Sequence, residues 1–329
     1  MESFEHIPVL LEEVLENLQI EPDGTYMDGT LGGAGHSLEI AERLSDKGKL
    51  YGFDRDSEAI VAATKRLSPY GNRIRIIRDN FKNAIKDMKA EGITGLNGAL
   101  LDLGISSHQI DDKERGFSYM QDAPLDMRMD QSTGMTAADI VNTYPEDELI
   151  RIFREYGEER FAPRIARDIV RKRQEKAIAT TFELNDIIYA AVPKKARIPG
   201  SHPSKRTYQA LRIACNEELT GLGEALTEII DMLKPKGRLC VISFHSLEDT
   251  IVKKTFQTLQ HPCTCPPSFP VCVCGKKTKG FAVTRKPILP SSGELSRNRR
   301  AASAKLRVFE KISPEEMSGS GQHGSTKLG

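Results

Sequence analysis

The chain is predicted to be an α/β protein with a doubly wound, mostly parallel sheet and an inserted, mainly helical segment. Three observations predict this class. Strand-like apolar runs alternate with helix-like patterns up to about residue 110, and a glycine-rich turn joins the first run to a helix. Loop-like segments and then helical patterns from Thr136 to about Val192 follow, before a strand-like run returns at Arg238–Phe244. With 329 residues, 39% of them apolar, the chain can form a large core.

The glycine-rich turn lies within Tyr26–Ser37, where an apolar run ends in Asp28 and the glycines lead to a helical pattern over Leu38–Leu44. Glycines allow positive φ and leave no Cβ between the backbone and a ligand, while the first N–H groups of the helix have no partner within it. We therefore predict a cradle for a nucleotide-like cofactor. The alternative is a structural turn that simply joins the strand tightly to the helix.

Carboxylates also end the next strand-like runs, which are Lys49–Asp56, Ile74–Phe81 and Gly98–Gly104. Asp54 follows Gly35 by 19 positions, close to the spacing of about 20 at which an acidic residue binds ribose in a βαβ unit. Asp54 is alternatively a helix cap. Asp102 is placed to meet an adenine amino group or a reacting group, and Phe81 either contacts a base or packs in the core.

The predicted organisation has four segments. The first part of the α/β domain occupies residues 1–110, and a mainly helical substrate-recognition insert occupies 111–207. The α/β domain resumes at 208–312 with a helix over Gln209–Leu233, a turn at Lys234–Gly237, the strand Arg238–Phe244 and a Cys-rich loop at 261–275. The last strands are expected at Phe281–Arg285 and Lys305–Glu310. Residues 313–329 are rich in Gly and Ser and are predicted to be disordered.

Composition indicates a soluble, cytoplasmic protein without a membrane segment. No window approaches about 18 consecutive apolar residues, and no basic amino-terminal region precedes an apolar run. The six cysteines do not indicate secretion, because Cys215 and Cys240 lie in apolar runs and only the other four cluster. The oligomeric state is not predictable from these features.

The loop Ser243–Asp249 contains serine, histidine and carboxylates within seven positions, a composition that invites a hydrolase interpretation. A nucleophile elbow would have the pattern Gly-x-Ser-x-Gly, and Ser and His triad members usually lie far apart in sequence. We instead predict a loop in which Ser246 caps a helix, at the substrate edge of the sheet.

Four cysteines form two Cys-x-Cys pairs, Cys263 with Cys265 and Cys272 with Cys274. Four thiolates are the ligand number of a structural zinc site, although the common spacing is Cys-x₂-Cys or longer. A zinc site and free thiols in a loop are both open interpretations. His261 is a possible substitute ligand.

Basic residues gather between Arg160 and Arg212 and between Lys276 and Lys311, although the formal net charge is only +1. Solvated helix faces are one interpretation. The other is an RNA surface, because cations and an aromatic residue follow the loop formers of Pro199–Ser204, a combination suited to phosphate contact and base stacking. The predicted RNA-binding residues are Lys205, Arg206, Tyr208 and Arg212.

Six segments, in order, resemble the bacterial small-subunit ribosomal RNA cytidine N4-methyltransferases, the MraW family, over the range His6 to about Ile312. They are Asp28–Ser37, Leu101–Ser107, Asp111–Ser118, Pro124–Asp130, Tyr156–Phe161 and Ser243–Asp249. The resemblance implies a class I (Rossmann-like) S-adenosyl-L-methionine-dependent fold. It also implies methyl transfer to a decoding-region cytidine, with small-subunit ribosomal RNA as partner, within the assembled or assembling subunit.

Carried over position by position, the cofactor contacts of that family fall on seven residues here. They are Ala34, Gly35, His36, Asp54, Phe81, Asp102 and Gln109. The chain departs from the pattern at His108, where the family usually has a proline, which leaves the path of that loop open. The cysteine pairs occur in only some relatives, so we do not expect them to be required for the chemistry.

The residue that activates the substrate amine is unknown from the sequence. The exocyclic nitrogen of cytosine shares its lone pair with the ring, so its attack requires an oxygen acceptor for an N–H. The Asn-Pro-Pro-Tyr loop of other amino-methyltransferases is absent after Asp102. Our candidates are Asp126, His245 and Ser246, with Asp130 as a further one, and Asp126 alternatively pairs with Arg128 or Arg115.

Two other functions fit part of the sequence. One is a non-catalytic ribosome-assembly factor that binds RNA and retains the cofactor fold. The other is an NAD-dependent dehydrogenase, which the glycine turn and Asp54 alone would favour. C5 methylation of cytosine is disfavoured, because it needs a cysteine nucleophile and none lies near the fourth-strand loop.

Overall fold

The computed structural model describes residues 8–200, 202–266, 268–269 and 272–313. The chain forms two compact units. Unit 1 combines residues 1–104 with 221–329, and unit 2 comprises residues 105–220. Within the described residues, no helix has the length and apolar character needed to cross a membrane. The predicted disordered tail, apart from Ser313, lies outside the described residues.

Seven strands form one sheet in unit 1, in the order β3-β2-β1-β4-β5-β7-β6. Their bounds are β1 (Thr25–Asp28), β2 (Lys49–Asp54), β3 (Ile74–Arg78), β4 (Leu96–Asp102), β5 (Leu233–Ser243), β6 (Gly280–Ala282) and β7 (Lys305–Lys311). Strands β1 to β5 pair in parallel, whereas β7 runs antiparallel to both of its neighbours. The predicted doubly wound, mostly parallel sheet is confirmed.

Thirteen α-helices accompany the sheet in the described ranges. Those of unit 1 before the insert are α1 (Leu11–Leu18), α2 (Gly35–Arg43), α3 (Ser57–Leu67) and α4 (Ala84–Ala90). Those of unit 2 are α5 (Ser107–Asp111), α6 (Ala137–Thr143), α7 (Glu146–Glu155), α8 (Ala162–Arg173), α9 (Thr181–Ala191) and α10 (Lys205–Asn216). Unit 1 resumes with α11 (Leu222–Met232), α12 (Ser246–Gln260) and α13 (Ser292–Arg297).

The central strands are apolar because helices cover both faces of the sheet. In β4, Leu101 packs in one hydrophobic cluster and Leu100 in a different one, and both side chains are fully buried. A strand buried on both faces cannot alternate between apolar and polar residues. This explains why the strands appear in the sequence as continuous apolar runs.

The order of the strands reverses between β1 and β4, which pair in parallel with Asp28 opposite Leu100. In doubly wound sheets the connections on the two sides of such a point diverge and leave a crevice at the carboxyl ends of the strands. Asp28 ends β1 and Asp102 ends β4. The fold therefore brings these two carboxylates to the place where such sheets bind ligands.

Unit 2 contains helices α5 to α10 and extends over residues 105–220, whereas the predicted insert covers 111–207. Helix α10 belongs to it, because Tyr208, Ala210 and Leu211 are buried in the same apolar cluster as residues of α7 and α8. The apolar face of α10 thus decides its membership, and that face cannot be assigned to a core from sequence alone.

Two further predictions about this region need correction. The single helix predicted over Gln209–Leu233 is two helices, because Glu217 and Gly221 adopt left-handed conformations that end α10 and precede α11. The turn predicted at Lys234–Gly237 lies inside β5, where Lys236 has a φ of 65° and the pairing with β4 shifts register. It is an irregularity of the strand rather than a separate turn.

Candidate functional site

The glycine turn is held to the end of β1 by Asp28. Oδ1 of this buried carboxylate accepts from the N–H of Thr30 (3.1 Å), and Oδ2 accepts from the hydroxyl of Ser37 in α2 (2.7 Å). Oγ1 of Thr30 in turn accepts from the N–H of Asp102 at 2.6 Å. The turn, β1 and β4 are therefore tied together by side chains whose roles the sequence analysis missed, although Thr30 and Ser37 flank the glycines.

The backbone of the turn is shaped to approach a ligand. Gly32 and Ala34 have φ angles of 48° and 60°, and Ala34 has no side-chain oxygen with which to cap α2. A Cβ added at Gly33 would meet no atom within 4 Å, so the backbone there faces open space. The turn thus has the open, uncapped helix start predicted for a cofactor cradle.

Asp54, at the end of β2, accepts two backbone hydrogen bonds. Its Oδ2 accepts from Gly32 (2.8 Å) and its Oδ1 from Asp56 (2.9 Å). The alternative in which Asp54 caps α3 is wrong, because Asp56 is the cap and accepts from the N–H of Glu58 at 3.0 Å. Asp54 therefore joins β2 to the glycine turn, and its oxygens retain lone pairs for further donors.

Asp102, at the end of β4, has an oxygen without a partner. Its Oδ1 is buried and accepts no hydrogen bond, while 26% of the side-chain surface remains exposed. Desolvation, with repulsion from Asp28 and Glu248, raises the pKa of Asp102 well above its usual range. A buried acceptor left without a donor costs free energy, which a bound ligand with an N–H would recover.

Burial also raises the pKa of Asp28 to about 6, in spite of its hydrogen bonds with Ser37 and Thr30, and repulsion from Asp54 adds to the rise. Burial raises the pKa of Asp54 as well. Among the described residues, no lysine or arginine forms an ion pair with Asp28 or Asp102. Asp28 and Asp102, two carboxylates that repel each other and lack such a partner, favour a ligand that carries positive charge and N–H or O–H donors.

His36 and Phe81 lie beside this group of carboxylates. Nε2 of His36, a buried residue, is 2.9 Å from the carbonyl oxygen of Val9, and its Nδ1 is 3.9 Å from Oδ2 of Asp102. A Cβ added at Gly29 would lie 2.9 Å from the Cβ of Phe81. The structure therefore brings the predicted residues Ala34, Gly35, His36, Asp54, Phe81 and Asp102 to the same edge of the sheet in unit 1.

Gln109 and Asp126 lie in unit 2 and have local partners there. Gln109 completes a capping box, since its Oε1 accepts from the N–H of Ser106 (3.0 Å) and its own N–H donates to Oγ of Ser106 (3.2 Å). Both carboxylate oxygens of Asp126 accept from the guanidinium of Arg128, at 2.8 and 2.9 Å. Burial opposes ionisation of Asp126, but these bonds lower its pKa, so it is held as a carboxylate by Arg128.

The loop after β5 begins next to Asp102, which is opposite Ile242 in the pairing of β4 with β5. His245, not Ser246, caps α12, because Nδ1 of His245 accepts from the N–H of Glu248 at 3.4 Å. Nε2 of His245 is buried, lies 3.1 Å from Oε1 of Glu248 and makes no hydrogen bond of normal geometry. The predicted cap at Ser246 is thus wrong by one residue, since an imidazole nitrogen can accept where a hydroxyl was expected.

The four predicted RNA-binding residues divide into two pairs. Tyr208 is 4% exposed and donates its hydroxyl to the carbonyl oxygen of Thr181 at 2.8 Å. Arg212 donates two hydrogen bonds of 2.8 Å to the carboxylate of Glu218. Lys205 and Arg206 are exposed at the start of α10, and Arg206 also donates to the carbonyl oxygen of Glu158 at 2.9 Å. Only Lys205 and Arg206 therefore present charge to solvent, whereas Tyr208 and Arg212 serve the interior of unit 2.

A different aromatic group is exposed in unit 2. Tyr189 is 46% exposed, and the guanidinium of Arg197 lies 3.9 Å from the centre of its ring. His202 lies nearby, stacked on Tyr119 with ring centres 4.7 Å apart and 6.2 Å from the ring centre of Tyr189. The sequence analysis missed Tyr189 because it lies in a helical pattern, where exposure depends on which face meets the core.

The four clustered cysteines are brought together. The sulfur atoms of Cys263, Cys265, Cys272 and Cys274 all lie within 4.8 Å of one another. Three of the residues that separate the pairs, Pro267, Pro270 and Val271, lie outside the described residues. His261, the possible substitute, is absent from this group of ligand atoms in the described structure.

Comparison with known proteins gives a match along nearly the whole chain. The model of the MraW methylase family matches residues 3–312. A relative named "Ribosomal RNA small subunit methyltransferase H 2", from Agathobacter rectalis, is 59% identical over 94% of this chain and 99% of its own length. A relative named "Ribosomal RNA small subunit methyltransferase H" from Lachnospira eligens is 58% identical over 94% of this chain and 98% of its own length. One of the same name from Clostridioides difficile is 52% identical over 94% of this chain and 100% of its own length.

A solved structure described as a putative rRNA-methylase from Clostridium thermocellum covers 94% of this chain and 98% of its own. Its sequence identity is 12% and its TM-score is 0.43, a likeness too distant to carry an argument. The three sequence relatives, which are 52% to 59% identical to this chain, are much more similar to it.

Proposed function

Because the chain belongs to the MraW methylase family, we propose that it transfers a methyl group from S-adenosyl-L-methionine to ribosomal RNA of the small subunit. The acceptor in this proposal is the exocyclic N4 of a cytidine in the decoding region, and the reaction takes place in the cytoplasm. Family membership favours a methylase over the NAD-dependent dehydrogenase that the glycine turn and Asp54 alone would suit.

The observation that supports the cofactor best is the group of carboxylates at the switch point of the sheet. S-adenosyl-L-methionine carries a sulfonium and an ammonium, and the carboxylates of Asp28 and Asp102 have no lysine or arginine partner among the described residues. In this proposal Asp54 accepts from the ribose hydroxyls and Oδ1 of Asp102 accepts from an N–H of the cofactor. The open backbone at Gly33 and the start of α2 receive its polar end.

When bound, the cofactor supplies a methyl group already activated by positive sulfur. The protein therefore has to hold the acceptor nitrogen in line, at roughly 3 to 3.5 Å, and exclude water. It also has to accept an N–H of the amine, so that the nitrogen lone pair leaves the ring and becomes nucleophilic. The first task needs a rigid site, which the bonds of Asp28, Thr30 and Ser37 provide.

Nitrogen is favoured over carbon as the acceptor. C5 methylation needs a thiolate that attacks C6 of the base. In the sheet, Cys240 is opposite Leu100 of β4, but it is fully buried, and burial raises the pKa of its thiol to about 12. Four of the other cysteines lie together in the loop after α12, and Cys215 lies in unit 2.

Of the four catalytic candidates, we retain His245, since Asp130 accepts from the hydroxyl of Ser132 at 2.6 Å. It lies three residues beyond the partner of Asp102 in β5, and its Nε2 is buried without a hydrogen bond. Asp126 is engaged by Arg128, and Ser246 begins α12 without capping it. In this proposal His245 positions the substrate amine next to Asp102, and the acceptor oxygen comes from the Ser243–Ser246 loop or from Asp102 itself.

We place the RNA surface of unit 2 on Tyr189, Arg197 and His202, with Lys205 and Arg206 alongside in sequence. An exposed aromatic ring with a guanidinium on its face can stack with an unpaired base, and the flanking lysine and arginine can meet phosphates. Cytosine N4 is accessible only in an unstacked base, so a loop or a flipped nucleotide is required.

The test is methylation of small ribosomal subunits from a strain that lacks this modification. Purified protein, labelled cofactor and either assembled subunits or naked RNA are incubated, and the nucleosides are separated by mass spectrometry. We expect N4-methylcytidine in the decoding region. 5-methylcytidine would contradict the proposed acceptor atom. Binding of subunits without methyl incorporation would instead support the non-catalytic assembly factor.

A further inference from the structure

The Cys-rich loop, residues 261–279, connects the end of α12 to β6 and is closed at its base. The N–H of Lys279 donates to the carbonyl oxygen of Leu259 (2.9 Å), and the hydroxyl of Thr278 donates to that of Gln260 (3.0 Å). Oε1 of Gln260 also accepts from the N–H of Ala282 at 3.2 Å. The base of the loop is therefore fixed by the fold, whereas the apolar side chains of Phe269 and Val273 near its tip are 48% and 72% exposed.

The tip brings four sulfur atoms together at the spacing of a metal site. The separations are 3.5 Å for Cys263 and Cys272, 3.9 Å for Cys265 and Cys272, 3.4 Å for Cys272 and Cys274, and 3.9 Å for Cys263 and Cys274. Zinc–sulfur bonds of about 2.3 Å in a tetrahedron separate the sulfurs by about 3.8 Å. The separations lie around that value.

The same distances disfavour other uses of the thiols. A disulfide needs a sulfur separation of about 2.05 Å, and each pair here is more than 1 Å longer. Iron–sulfur clusters distribute their cysteines over several irons and hold them farther apart than one ion does. All four sulfurs lie within 4.8 Å of one another, which suits a single ion.

We propose that Cys263, Cys265, Cys272 and Cys274 bind one Zn²⁺ as four thiolates. On binding, the four thiols lose four protons and form four sulfur–zinc bonds, so the site changes from neutral to a net charge of −2. Lys276 and Lys277 follow Cys274 after Gly275 and are exposed, which places positive charge close to that site in sequence.

A backbone donor next to one of the sulfurs supports this assignment. The N–H of Val273 donates to Sγ of Cys265 at 3.3 Å. Such bonds stabilise thiolates and fix the direction of metal ligands. The short Cys-x-Cys spacing is thus compatible with a site in which the backbone wraps closely around the ion.

The ion would be structural and not catalytic. The loop leaves the carboxyl end of α12, while the loop beside Asp102 leads into its amino end at Ser246. A helix of 15 residues is about 22 Å long. Zinc would therefore order the excursion between α12 and β6 at a distance from the methyl-transfer site.

The first experiment measures metal content. The full chain is produced with zinc in the medium, purified under reducing conditions without a histidine tag, and analysed by elemental mass spectrometry. We expect one zinc per chain, and a content at least about tenfold lower in Cys263→Ser/Cys265→Ser, which lacks two of the four ligands. The matched control is Cys215→Ser, which removes a thiol in unit 2 and should keep the zinc.

Two further readouts do not depend on activity. Cobalt added to the metal-free chain should give the absorption of a tetrahedral thiolate site in the wild type and the control but not in the double variant. Trypsin should cut after Lys276 and Lys277 faster once the metal is removed. A zinc-free wild type with four titratable thiols in this loop, two disulfides found by mass, or iron in place of zinc would each overturn the proposal.

Discussion

Two groups of residues were predicted to bind ligands: the carboxylates at the switch point of unit 1 and the residues of α10 in unit 2. They differ in how many of their side chains have partners inside the protein. Asp54 and Asp102 lie where the sequence placed them, and Oδ1 of Asp102 lacks a partner. In α10, three of the four predicted residues have internal partners, since Tyr208 bonds to Thr181, Arg212 to Glu218 and Arg206 to the carbonyl oxygen of Glu158. A charge or ring indicates a ligand only where the fold leaves it without an internal partner.

The difference has a topological cause. A residue that ends a parallel strand lies at the ligand-binding edge whichever helices cover the sheet. A residue on a helix faces either the core or solvent, and a rotation of about 100° per residue decides which. The predictions below test this contrast, beginning with the largest expected effect.

We expect Tyr208, predicted from the sequence to bind RNA, to matter for stability, and Tyr189 to matter for RNA binding. Tyr208→Ala removes a buried ring and should lower the free energy of unfolding by about 3 to 5 kcal/mol. Tyr189→Ala should leave stability nearly unchanged and weaken RNA binding by about 1 to 3 kcal/mol, the cost of one base–aromatic stack. Urea unfolding and RNA titration measure the two effects. Weaker RNA binding by Tyr208→Phe, with its stability intact, would return Tyr208 to the RNA surface.

Asp28 should make the protein less stable as the pH rises. Its folded pKa of about 6 is above the ordinary aspartate value of 3.8, so its contribution to stability is complete below about pH 4 and is lost as the pH rises through 6. A pKa difference of about two corresponds to at most about 3 kcal/mol. Asp28→Asn keeps the size of the side chain but cannot ionise. In urea unfolding, its free energy of unfolding should therefore rise relative to that of the wild type as the pH increases from 4 to 7.

Asp126 supplies the control of opposite sign. Arg128 lowers its pKa in spite of burial, so its contribution is present above the unfolded pKa and is lost as the pH falls through the folded value. Asp126→Asn should therefore be less stable than the wild type near pH 7, with a difference that shrinks in acid. The same pH trend in both variants would mean that Asp28 is not a strained carboxylate.

Asp102→Asn should weaken cofactor binding by about 1.5 to 3 kcal/mol, the value of a hydrogen bond to a charged group, without lowering stability. Calorimetric titration with S-adenosyl-L-methionine and thermal unfolding measure both. Asp79→Asn is the matched control, because Asp79 follows β3 at the far edge of the sheet and bonds to Asn80 and Asn83. Equal affinity in wild type and Asp102→Asn would remove Asp102 from the cofactor site.

Lys205 and Arg206 should have the smallest effect. Replacing both by Ala should reduce the slope of log affinity against log salt concentration by up to about 1.4. This is about 0.7 for each phosphate of single-stranded RNA that is no longer neutralised. Stability should change by no more than about 1 kcal/mol, since both side chains are exposed and the variant loses the hydrogen bond of Arg206 with the carbonyl oxygen of Glu158. RNA titrations at several salt concentrations provide the slope. An unchanged slope would assign the two cations to an ordinary solvated helix end.

Local patterns were sufficient for much of the fold. The strands β1 to β5 and the turn before α2 were found because their residues are continuous apolar runs or glycines, which have few other uses. The break between α10 and α11 was missed, because Glu217 is an unremarkable helix residue by type and only its left-handed conformation ends the helix. The cap of α12 was misplaced because histidine is an uncommon cap.

By itself, the sequence determined which residues end the strands, where the chain turns on glycine, and which family it belongs to, since these depend on neighbours along the chain. Tertiary structure alone decided that Tyr208 and Arg212 have internal partners and that Tyr189 is exposed. It also decided that the sulfur atoms of four cysteines lie within 4.8 Å of one another. Burial and partnership depend on residues that are distant in sequence. No local pattern carries that information.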